Sequence, residues 1–98
     1  MSQKKYKIEY LPVADRDLTE IFAYIASDLA APQAAVNLLQ KIDYAVKSLE
    51  TFPYGTVTAP FEFRALVVAS YLVFYYVTEN AVTIARVVYG RRDIGNVL

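Results

Sequence analysis

Apolar and polar residues alternate over positions 6–10, with Tyr6, Ile8 and Tyr10 on one side and Lys7 and Glu9 on the other. That period of two predicts a strand with one buried face. Leu11-Pro12 ends it, and the period then changes. Ala14, Leu18, Ile21 and Ile25 recur at steps of four, three and four, the stripe of an amphipathic helix. Pro12 suits the first helical turn, where its missing N–H costs nothing, and Asp15 and Asp17 suit the positive end of the helix. The stretch 28–32 breaks this helix. A second one is written by Ala35, Leu38, Leu39, Ile42, Ala45, Val46 and Leu49, with Gln40, Lys41, Asp43 and Lys47 on the opposite side. The short connection between the two predicts an antiparallel helical hairpin.

Phe52-Pro53-Tyr54-Gly55 ends helical structure. Three strands are expected after it, near 62–68, 71–78 and 81–89, joined at Ala69-Ser70 and Glu79-Asn80 by turns short enough for a meander. The predicted class is α+β in the order β-α-α-β-β-β: an antiparallel sheet with the helical hairpin packed on one face. The strand YLVFYYV is apolar at every position, so both of its faces should be covered. The helices cover one face, which leaves the other for a bound partner.

Ninety-eight residues support one domain, 1–98, since two would each lack an adequate core. An apolar fraction of 56% is high for that length and points to a rich core or to surface meant for a partner. Lys+Arg and Asp+Glu both number 10, so no overall basic field draws the molecule to nucleic acid. Cysteine and histidine are absent, which removes disulfides, zinc clusters, thiol nucleophiles and imidazole bases together. No metal and no cofactor is expected. The lysines near the amino end are followed by no apolar run, and the longest apolar stretch, 65–77, falls short of the roughly 20 residues a bilayer requires. The expectation is a soluble, cytoplasmic protein without a membrane partner.

The candidate chemistry is cationic. Arg64 lies among Phe63, Ala65, Leu66 and Val67, an unusual setting for a full charge. It either pairs with Glu62, Asp17 or Glu20, or presents its planar fork to an anion. Arg86, Arg91 and Arg92 gather with Tyr89 and Asp93 at or just beyond the last strand. Charges there are either simply solvated or form, with the aromatic ring, a surface for phosphate, a base or an acidic peptide. Arg64, Arg86, Arg91 and Arg92 are expected to share one patch. Asp15 and Asp17 are two apart and diverge on a helix, so they do not chelate together. Ser70 and Thr78 have no base to activate them.

Taken in order, Tyr6-x-Ile8, PVADRDLTEIFAYIA, Arg64 within FRALVV, YLVFYYV and IARVVYGRRD resemble the RelE/ParE family over almost the whole chain. These are toxins of bacterial type II toxin–antitoxin operons, often called plasmid stabilisation proteins. The resemblance implies one of two activities. RelE-like members cut messenger RNA on the ribosome, with cationic side chains at the scissile phosphate. ParE-like members inhibit DNA gyrase. In the nuclease members an arginine commonly follows the tyrosine of the central strand, whereas Tyr71 is followed here by Leu72. Arg92 matches the nuclease arginine beyond the last strand, but the expected terminal tyrosine falls on Leu98, and Tyr89 stands where histidine is frequent. Each missing group of this kind costs on the order of 10²-fold in rate.

The resemblance is therefore closer to ParE. It implies a gyrase-inhibiting toxin that arrests growth and is neutralised by a cognate antitoxin in a toxin–antitoxin hetero-oligomer. Arg64, Arg86, Tyr89, Arg91, Arg92 and Asp93 are the candidate residues for contact with target or antitoxin. A ribosome-dependent messenger RNA endonuclease using Arg64 and Arg92 is the alternative. A toxin fold that only binds its antitoxin is the third reading.

Overall fold

The computed structural model describes residues 5–90. The strand β1 (Lys7–Tyr10) leads into helix α1 (Pro12–Ala23), and helix α2 (Pro32–Lys47) follows. Proline opens both helices, and the residue before each proline keeps its backbone out of the helical region. Past Ala23, α1 widens into a π-helical turn, Tyr24–Asp28, and Ala30 at φ 51 ends it. The expected break over 28–32 is thus a left-handed residue followed by Pro32.

After a single 3₁₀ turn (Ser48–Glu50) come a two-residue strand β2 (Val57–Thr58) and a second short turn (Pro60–Glu62). The chain then runs through β3 (Arg64–Val68), β4 (Tyr71–Val77) and β5 (Ala81–Tyr89). The three predicted late strands are present, the first starting at Arg64 because Pro60–Glu62 forms the short turn before it. Ala69, at φ 55, makes the tight link between β3 and β4.

The sheet order is β1-β5-β4-β3-β2. The meander β3 to β5 is antiparallel as expected and β2 extends it as an unexpected antiparallel edge strand, but β1 runs parallel to β5, pairing Lys7 with Ala81 through Tyr10 with Ile84. The sheet is therefore mixed rather than wholly antiparallel. Alternation reports which faces of a strand are buried and says nothing of its neighbour or direction, so β1's place beside the last strand was not readable from pattern.

Along β4 successive side chains take opposite faces. Val73 and Tyr75 join Ala14, Ile42, Val46, Leu49, Val82, Ile84 and Val87 in a core beneath the helices. Leu72 and Phe74 point the other way and are equally buried, against Ala65 and the half-buried Ala59, Phe63 and Val88. The chain's own 59–63 segment helps to close the reverse face of β4. Something besides the helices does cover this face, as expected, and part of it is the chain itself, where a bound partner was the candidate.

Candidate functional site

Two sites emerge around the predicted arginines, one on each side of β4. The first begins with a β-bulge. Phe74 pairs with Arg86 but Tyr75 pairs with Ile84, which leaves Ala85 as an extra residue on β5. At the same level β1 ends, because its last pair is Tyr10 with Ile84. Beyond it β5 has no strand neighbour on that side among the described residues. Asp17 of α1 fills the gap. Its Oδ2 accepts from the backbone N–H of Val87 at 2.9 Å and from Arg86 Nε at 2.7 Å, and its Oδ1 accepts from Arg86 Nη2 at 3.0 Å.

Asp17 is 8% exposed. Burial pushes its pKa up, but the Arg86 hydrogen bonds, the Val87 N–H and the charges of Arg86 and Arg16 outweigh this and hold it below the ordinary carboxylate value. The same carboxylate raises the pKa of Arg86. The pair is thus a fixed ionic clamp between helix and sheet, a role the sequence reading assigned to neither residue. The signal was available: Asp17 lies three after Ala14 and four before Ile21, on the apolar stripe itself, where an acid needs a partner.

Next to this clamp lies a cleft of about 790 Å³, lined among others by Ile21, Tyr24, Leu29, Tyr71, Val87 and Tyr89. The π-helical turn forms one wall and the unpaired end of β5 the other. Tyr71 and Tyr89 face each other across the β4–β5 pair, edge to face with ring centroids 5.4 Å apart. Desolvation, then the neighbouring phenols of Tyr89 and Tyr24, raise the pKa of Tyr71 above the ordinary tyrosine value. Its hydroxyl stays protonated at neutral pH and offers no phenolate base. Tyr24, Leu29 and Tyr89 leave half or more of their surface open. The cleft wall is mainly apolar, with Asp17 and Glu20 also in its lining.

The second site surrounds Arg64. Its Nη2 donates to the carbonyls of Tyr54 and Thr56, each at 2.7 Å, its Nε donates to Thr56 Oγ1 at 3.3 Å, and its guanidinium lies 5.5 Å from the Tyr54 ring centroid. Tyr75 extends the network, bonding Thr56 Oγ1 and donating its hydroxyl to the Pro53 carbonyl at 2.6 Å. Arg64 pairs with none of Glu62, Asp17 or Glu20. It clamps the 53–56 loop onto the sheet through carbonyl oxygens, which leave no charge signature in a sequence.

Arg64 and Arg86 are therefore gripped by different elements, on the strands either side of β4. Tyr89 lies at the cleft. Arg91, Arg92 and Asp93 lie outside the described residues. Among the described residues no group of acids is placed to hold a metal, and no helix is long and apolar enough to cross a membrane.

Comparison with known proteins agrees with this architecture. Two solved structures share the fold. One, described as the chromosomal ParDE TA system from P. aeruginosa, has a TM-score of 0.78 at 19% identity and covers 91% of this chain and 100% of that one. The other, the toxin–antitoxin complex RelBE2 from Mycobacterium tuberculosis, has a TM-score of 0.63 at 17% identity, covering 94% of this chain and 98% of that one. Among curated proteins no significant sequence match is found. The sequence model described as "ParE toxin of type II toxin-antitoxin system, parDE" matches residues 8–94. The chain, with its helical hairpin on a mixed sheet and its open cleft beside β5, belongs to the ParE toxin family.

Proposed function

We propose that this chain is a ParE-like toxin that arrests growth in the cytoplasm by docking on DNA gyrase and inhibiting it, and that a cognate antitoxin neutralises it by filling the cleft between the π-helical turn and β5. The observation that carries the reading is the state of the two candidate arginines within the described residues. Arg64 holds backbone carbonyls and Arg86 holds Asp17, so both guanidiniums are committed to the fold. A ribonuclease needs such groups pointed at a phosphate, with an acid and a base beside them. The absence of histidine and the Leu72 that follows Tyr71 count against that chemistry as well.

The apolar cleft supports the antitoxin part of the proposal. An amphipathic segment of a flexible antitoxin folds as it binds, and the apolar area it buries offsets the cost of ordering it. Half-exposed Tyr24, Leu29 and Tyr89 supply that area.

The test is induction of this chain alone, then together with the protein encoded by the abutting reading frame. The proposal expects growth arrest with cleaved plasmid DNA and intact messengers, relieved by the second protein. Codon-periodic messenger cuts would instead establish the ribosome-dependent endonuclease.

A further inference from the structure

The far edge of the sheet carries a feature the cleft and the clamps leave unused. Between Glu50 and Glu62 the chain reads TFPYGTVTAPF, with no charged residue. This segment includes β2, the outermost strand, and it exposes four large apolar side chains, Phe52, Tyr54, Val57 and Phe61. Edge strands are normally guarded by charge, above all lysine. Here there is none. Phe61 is the most conspicuous of the four. It sits at φ 61, followed by Glu62 at φ 66, two consecutive non-glycine residues in the left-handed region, and its ring is 82% exposed. Such backbone is strained for residues with a side chain, and burial of Phe61 within the chain does not offset it.

We infer that this edge is a self-association surface, and that its occupant is a second copy of this chain related by a two-fold axis. Three observations favour a copy over a foreign partner. The segment itself carries no charge, and the charges beside it, Arg64 and Glu62, are opposite in sign, so a second copy meets no net like charge. The backbone is also self-complementary. Ala59 N–H donates inward to the Phe63 carbonyl, so the alternation of an antiparallel ladder turns the N–H and C=O of Thr58 outward. A two-fold axis through Thr58 lets the two copies exchange both hydrogen bonds, as an isologous interface requires.

The area fits too. A large aromatic side chain carries roughly 150–250 Å², so the four exposed groups offer about 500 Å² per copy. The pair buries about 1,000 Å², at the lower limit for a specific contact. Pro53, Pro60 and the two-residue length of β2 keep the ladder from extending further. The result is a weak, reversible dimer rather than a growing sheet. This surface lies at the opposite edge of the sheet from the cleft, so association there is independent of antitoxin docking.

Sedimentation velocity of the purified full chain, from about 1 to 300 µM, tests this. The expected result is a mass that rises from the 11.0 kDa monomer towards twice that value, with a Kd on the order of 10–100 µM. Phe61→Glu and, separately, Val57→Lys place charge on the edge and should raise that Kd about tenfold or more, with unchanged circular dichroism. Tyr44→Glu, at an equally exposed ring on α2, should leave it unchanged. A monomer throughout the range overturns the inference. So does a dimer that both edge variants leave intact, or one that Tyr44→Glu alone disrupts.

Discussion

Replacing Asp17 by asparagine is the most demanding test of how α1 is fastened to the sheet. The substitution keeps the volume but removes the charge and one acceptor. The carboxylate serves three donors: Arg86 Nε, Arg86 Nη2 and the Val87 N–H. Asparagine offers a single oxygen and turns an N–H₂ group towards a guanidinium. Breaking a fully buried ion pair costs about 3–5 kcal/mol. The Arg86 side chain is 45% exposed, however, so water can take over part of its hydration. The expected loss is therefore about 2 kcal/mol, which in a domain of this size lowers Tm by roughly 8–15 °C.

The pH dependence provides a second reading of the same contact. The folded pKa of Asp17 lies below its unfolded value, so its contribution is fully present above the unfolded value, near 4, and is lost as pH falls through the folded one. Wild type should lose stability as pH falls below about 4, with asparagine at 17 flattening that slope. Urea unfolding followed by far-UV circular dichroism at pH 7, 4 and 3 measures both effects. A change under about 0.5 kcal/mol at pH 7, or an unaltered acid slope, would refute the clamp.

Other expectations follow from the remaining contacts. Arg64→Ala should cost about 2 kcal/mol in urea unfolding, because two carbonyls and a hydroxyl lose a charged donor, and whatever folded protein remains at low temperature should still inhibit gyrase. Tyr75→Phe should cost about 1–2 kcal/mol, since the Pro53 carbonyl then lacks its buried donor; thermal unfolding would show a drop of some 4–12 °C. Leu29→Glu places a charge in the cleft wall and should weaken antitoxin binding by at least about tenfold in calorimetry, while toxicity in the growth assay persists.

How much of this could be read from the chain depends on whether a feature leaves a local signal. Helices α1 and α2 follow from periodicity, because each has a buried face that repeats every 3.6 residues, and β3, β4 and β5 follow from apolar runs bounded by short turns. The parallel partner of β1 does not, and neither does β2, whose two residues are too few to show a period. Ala85 reads as an ordinary strand residue; only pairing with β4 reveals it as a bulge. Arg64 was correctly singled out as an unusual charge, but its partners are backbone carbonyls, which every residue carries. Asp17 was the more legible case. It was read as a helix-end acid although its spacing puts it on the buried stripe, and that stripe faces the one arginine inside β5.

The central claim is that this fold acts by docking on gyrase and not by cutting RNA. Purified chain incubated with gyrase, ATP and relaxed plasmid tests it most directly. Supercoiling should fail and cleaved plasmid accumulate, equally with wild type and with folded Arg64→Ala. Normal supercoiling at saturating toxin, with messenger cleavage in a parallel incubation with translating ribosomes, would contradict it.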